Sequence, residues 1–125
     1  MRKYNRILLK LSGESLAGTK GIGIDFDKVL AICDEIKEVA KNTKIEIAIV
    51  VGGGNFWRGR SNKQIDSCTS AHIGMLGTTM NALALDDAFK QLGFESRVQT
   101  GIEMRQIAEF YIRKRTIRHL DKGRI

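Results

Sequence analysis

The sequence predicts an α/β fold: three layers, α/β/α, built around a mainly parallel sheet. Three observations carry that reading. Strand-like and helix-like segments alternate along all 125 residues, and glycines punctuate them because there is no proline. The most β-prone stretch, residues 45–51, is almost continuously apolar, as a strand covered on both faces should be. Directly behind it come Gly52, Gly53 and Gly54, at the end of a strand where open α/β sheets meet ligands.

In chain order, residues 4–11 form an apolar run of strand length that breaks into Ser12-Gly13-Glu14-Ser15. A loop over 14–24 carries Gly18, Gly21 and Gly23. Asp25 then reads as the N-cap of a helix ending near Asn42. Within it Val29, Ile32, Cys33, Ile36, Val39 and Ala40 recur at helical spacing and give one apolar stripe. The second strand covers 44–51, and a polar segment over 55–66 follows, with Phe56, Trp57, Arg58 and Arg60. A long helix over 69–92 is closed by Gly93 as a C′ glycine. Gly74 and Gly77 interrupt it at a cost of ~1 kcal/mol each relative to alanine, so something packs very close there, either another helix or the ligand. Residues 94–100 give a third strand and 107–122 a helix stopped by Gly123. Arg124-Ile125 starts another strand. Such alternation implies right-handed crossovers between parallel strands.

Composition narrows the function classes. Hydrophobic residues make up 42%, enough for a core. No run approaches the ~18 apolar residues of a membrane span, and no signal peptide opens the chain. Cys33 and Cys68 have neither metal-ligand nor redox spacing; Cys33 falls on the apolar stripe, and a reducing, cytoplasmic compartment fits. The formal charge of +7 is concentrated near the end, in Arg105, Arg113, Lys114, Arg115, Arg118, Lys122 and Arg124. Much of it lies on one helix, where a solvated face explains it, and no aromatic–basic motif supports nucleic-acid recognition.

The chemistry sits at two strand ends. An isolated glycine triplet is equally well a tight turn or a loop that offers bare N–H groups to an anion. Lys10, at the end of the first strand, either snorkels to the sheet edge or is a fixed positive charge facing phosphate. Side by side, the two features favour phosphate. No Ser-His-Asp arrangement or paired carboxylates occur, and His72 and His119 read as structural or solvated.

Lys10-Leu11-Ser12-Gly13-Glu14, Gly21-Ile22-Gly23-Ile24-Asp25, Gly52-Gly53-Gly54-Asn55-Phe56-Trp57-Arg58-Gly59 and the stretch from Gly74 to Ala84 occur in this order. With Arg97-Val98-Gln99 and residues 117–124, they make the chain resemble the bacterial UMP kinases of the amino-acid-kinase superfamily over its whole length. The resemblance implies ATP-dependent phosphorylation of UMP to UDP, with Mg2+ arriving with ATP. It makes Lys10 and Arg58 catalytic. Lys10, Leu11, Ser12, Gly13, Gly54 and Arg58 would contact ATP, and Gly53 would contact UMP. Gly18, Thr19, Lys20, Gly21, Ile22 and Gly23 would form a loop near which GTP acts as effector. It also implies a hexamer, no membrane or nucleic-acid partner, and a fold cut after about three strands. Residues 1–125 would then be the N-terminal UMP- and phosphate-binding part, with the C-terminal ATP-binding part missing and this chain inactive alone. The alternatives are a non-catalytic nucleotide-binding or oligomerisation module, or another kinase of this fold, such as a carbamate or amino-acid kinase. One position departs from the family: Ala71 stands where it has an aspartate touching the UMP ribose, which predicts weaker UMP binding unless Asp66 or Thr69 substitutes.

Overall fold

In the computed structural model, which describes residues 3–59 and 63–125, the frame is a pair of parallel strands. β1 (Arg6–Leu11) and β2 (Glu46–Val51) run in register from Arg6 opposite Glu46 to Leu11 opposite Val51. Side chains alternate across a strand, so Ile7, Leu9, Leu11, Ile47 and Val51 share one face. Against it pack α1 (Phe26–Thr43) and α2 (Ser67–Gln91), and Val29, Cys33, Ile36, Leu85, Ala88 and Phe89 complete the core. The predicted stripe of the first helix is buried at Val29, Cys33, Ile36 and Ala40, while Val39 at its margin is exposed.

The punctuation works as its chemistry requires. Asp25 caps α1, accepting from the Lys28 N–H at a long 3.4 Å. The Asp66 carboxylate accepts from the Cys68 and Thr69 N–H groups at 3.1 and 3.2 Å, so α2 starts two residues before its predicted position. Gly93 follows α2 at φ +78°, with Phe94 N–H bonded to Phe89 O. Gly123 ends α3 (Arg113–Asp121) in the same way at φ +75°. Arg60 lies outside the described residues.

The third strand and third helix differ from expectation. Of residues 94–100 only β3 (Gln99–Thr100) forms a strand, and it joins β4 (Glu109–Phe110) in a second parallel ladder and not the β1–β2 sheet. The helix expected from Ile107 begins at Arg113. Residues Phe110, Tyr111 and Ile112 are aromatic and β-branched, and the backbone over 109–111 pairs with 98–100: Glu109 N–H bonds to Val98 O and Tyr111 N–H to Thr100 O. A tertiary ladder overrides a weak helical propensity. Arg124-Ile125 does start a pairing, since Ile125 N–H donates to Glu95 O and Ile125 O accepts from Arg97 N–H. Asp121 at the end of α3 holds Arg6 at 2.8 Å, which brings α3 to the opposite side of the ribbon from α1 and α2. That side is only partly covered: Leu8 is 68% and Val50 48% exposed.

Candidate functional site

Because β1 and β2 are parallel, both strand ends open at the same edge. Gly52 N–H donates to Leu11 O at 3.1 Å and seats the glycine turn beside the Ser12-Gly13 turn. None of Gly52, Gly53 and Gly54 has positive φ, so the triplet is not there for a left-handed turn. Close approach explains it. A Cβ on Gly53 would lie 2.7 Å from Gly74 O and 2.9 Å from Thr78 N. One on Gly13 would lie 2.5 Å from Asn55 Oδ1 and 2.8 Å from both Gly52 O and Gly54 N. The turn is wedged between the first turn and α2, closer than any side chain allows.

This also identifies what approaches the glycines of α2. A Cβ on Gly77 would sit 3.3 Å from Phe56 Cβ, so the neighbour is the glycine-turn segment itself. Gly74 faces open space with its α-carbon, and it is its carbonyl that Gly53 approaches. Trp57 Nε1–H donates to Ser70 Oγ at 2.9 Å and pins the following segment to the same helix.

The peptide planes then decide which groups are offered outward. Gly53 O accepts from both Phe56 and Trp57 N–H, at 3.0 and 3.1 Å. In a trans peptide the N–H points opposite the carbonyl, so Gly54 N–H is turned towards the Gly13 side. Gly53 and Gly54 N–H have no hydrogen-bond acceptor among the described residues. Lys10 is exposed at the end of β1 and has no ion-pair or hydrogen-bond partner among them. A cation and two unengaged N–H donors at one edge suit an anion.

The remaining predicted residues are placed unevenly. Ser12 caps a 3-10 turn (Gly13–Leu16), its hydroxyl accepting from Ser15 N–H at 3.3 Å. Arg58 forms an ion pair with Glu14, over Gly54, so its charge is already met by a carboxylate that the sequence reading gave no role. Leu11 is half-buried in the core edge. The 18–23 loop lies against the site: Gly23 N–H donates to Asn55 O at 2.9 Å. Ala71 and His72 are exposed on α2. Asp66, the suggested substitute for the missing aspartate, spends its Oδ2 on the helix cap.

Asn55 and Asn81 are 1% and 0% exposed and sit behind the turn. Sequence reasoning quoted both without assigning either a task. A usable signal existed at Asn81: a poor helix former among Met80, Ala82 and Leu83, in the middle of a helix. Two grooves lie elsewhere. One groove of about 840 Å³ is lined by Lys90, Arg97, Arg105, Glu109 and Arg115, and one of about 410 Å³ lies between β2 and Val98, Tyr111 and Leu120. The strand-end site is recognised by its donors and charge, not by its volume.

The family model described as the amino acid kinase family matches residues 5–125. The solved UMP kinase from Bacillus anthracis is similar at a TM-score of 0.91 and 39% identity, over 99% of this chain and 52% of that one. The UMP kinase from Ureaplasma parvum is similar at 0.89 and 29% identity, over 98% and 54%. The chain thus spans about half the length of either solved structure.

Proposed function

The chain belongs to the amino acid kinase family, and from that premise we propose that it supplies the phosphate-holding half of a UMP kinase, transferring the γ-phosphoryl group of ATP to UMP. The observation that carries this is the shared strand edge, where Lys10 and the Gly53 and Gly54 N–H groups are all unengaged. The likeness to two UMP kinases supports the substrate. Phosphoryl transfer asks for alignment and for neutralisation of charge spread over equatorial oxygens, and little covalent chemistry from the protein.

In this reading Lys10 neutralises the transferring group. Gly13 and Gly54 N–H hold ATP phosphates, and Gly53 N–H faces UMP. Arg58 meets phosphate in this reading, and its pairing with Glu14 holds the guanidinium over Gly54. The described residues gather no group of three His, Cys, Asp or Glu side chains that could hold a metal. With Glu14 taken by Arg58, the donor set does not fit a resident ion; magnesium belongs to the ATP phosphates in this proposal. GTP at the 18–23 loop and assembly into a hexamer are parts of the same proposal. No helix among the described residues is long and apolar enough to cross a membrane.

The test joins this chain to the half of the Bacillus anthracis enzyme that it does not match, and follows ADP and UDP formation from ATP and UMP. Turnover is expected from the chimera and none from the 125-residue chain alone. Lys10→Ala should lower kcat by about 100- to 1000-fold, as loss of one transition-state charge partner does. A folded chimera that ignores UMP, or uses carbamate or an amino acid instead, overturns the assignment.

A further inference from the structure

We propose that Asn55 and Asn81 are positioning residues: their paired side-chain amides aim the glycine turn and tie it to the 18–23 loop. The pair is reciprocal. Asn55 Nδ2 donates to Asn81 Oδ1 at 3.0 Å, and Asn81 Nδ2 donates to Asn55 Oδ1 at 2.7 Å. The second N–H of each goes to a backbone carbonyl, Asn55 to Gly23 O and Asn81 to Gly52 O, both at 2.7 Å. Carbonyls only accept, so both Nδ2 groups must face them, and this sets the orientation of both amides. All four side-chain N–H donors are used, and no buried side-chain polar atom among the described residues is left without a partner.

The consequence reaches the turn through one peptide plane. Asn81 holds Gly52 O inward; in a trans peptide this turns Gly53 N–H away from α2, towards the strand edge. The same pair grips the loop twice through Asn55, by its side chain to Gly23 O and by its backbone O from Gly23 N–H. Gly13 packs on Asn55 Oδ1 so closely that a Cβ there would be 2.5 Å away. Three separate segments therefore meet on two amides. Aspartate at either position would set a carboxylate against a carbonyl and remove the donor.

The inference rests on the phosphate-binding reading for its ligand and on the amide pair alone for its coupling, so two measurements separate them. The first is amide hydrogen exchange of the ligand-free chain with and without Asn81→Asp. Residue 81 makes no hydrogen bond to the 18–23 loop, yet Gly23 N–H should exchange at least tenfold faster in the variant. Unchanged exchange at Gly23 in a folded variant overturns the coupling. If Asn81→Asp does not fold, as far-UV circular dichroism would show, Asn81→Ala, which adds no charge, takes the same measurement. The second is an NMR titration of the chimera with ATP, magnesium and UMP. Gly53, Gly54 and Gly23 amides should shift together in the wild type, and the variant should need about tenfold more nucleotide. Wild-type affinity in the variant overturns the positioning role. A wild-type chimera whose glycine amides ignore nucleotide sinks the nucleotide reading and the positioning role with it, while the exchange result still decides the coupling.

Discussion

Gly53 and Gly52 are neighbours of one residue type with opposite tolerance. Gly53→Ala forces a methyl to within 2.7 Å of Gly74 O, backbone that cannot step aside, whereas the nearest atom to a Cβ on Gly52 is Gly13 N at 3.8 Å. Overpacking of this kind costs about 1–3 kcal/mol. Thermal melts should show Gly53→Ala well below the wild type and Gly52→Ala close to it; equal melting temperatures would contradict the wedge. The sequence marks this turn as special without distinguishing its members, because a glycine kept for helix packing and one kept for a ligand look alike in one chain. The cysteines separate more simply. Cys33 is fully buried against Leu85 O, and burial pushes its thiol up to about 12, while Cys68 is exposed. An aromatic disulfide reagent at pH 8 should titrate one thiol quickly and the second only on unfolding, since the thiolate is the reactive form.

Among the elements, α1 is legible from its apolar stripe and its cap Asp25, β1 and β2 from apolar runs that end in glycine turns, and α2 from its length and Gly93. The region after Gly93 is not, since its structure depends on partners distant in sequence. Glu109 shows how. Its Oε1 accepts from Gln99 Nε2 at 2.7 Å and lies 3.0 Å from His119 Nε2. Arg124 Nη1 reaches His119 Nδ1 at 3.1 Å; a guanidinium only donates, so Nδ1 accepts and Nε2–H donates to Glu109. One carboxylate thus joins β3, β4 and α3. Burial tends to raise its carboxyl, but hydrogen bonds from Gln99 and His119, with Arg115 nearby, hold it below the usual value. A depressed carboxylate stabilises the fold above its unfolded value, ~4.3, and that contribution is lost as pH falls through the lower folded value. Melting temperature should therefore fall less steeply below about pH 4.3 in Glu109→Gln than in the wild type. Parallel curves would remove Glu109 as the joint.

At the scale of the whole molecule, the parallel α/β class and the strand-edge site are legible, and the sheet's width is not. Alternation tells which residues point up or down, and nothing in it says which edge finds a neighbour. β2 has one: Glu46 N–H bonds to Asn5 O and Gly52 N–H to Leu11 O, so by the parallel pattern the even residues donate to β1. Ile47, Ile49 and Val51 therefore present their N–H groups to the other edge, where no strand lies among the described residues. An apolar edge of this kind invites a further strand, and the groove of about 410 Å³ beside it has Val98 and Gln99 as its far wall. Ile125, already paired with Glu95 and Arg97, lines the same groove. Hydrogen exchange reads this directly. In the chain alone, Ala48 and Val50 amides should be protected while Ile49 and Val51 exchange quickly. In the chimera carrying the other half of the Bacillus anthracis enzyme, Ile49 and Val51 should become protected as well. If both sets are already protected in the 125-residue chain, the open edge is closed by self-association, and its protection will then fall on dilution; if it does not, the two-stranded sheet is wrong.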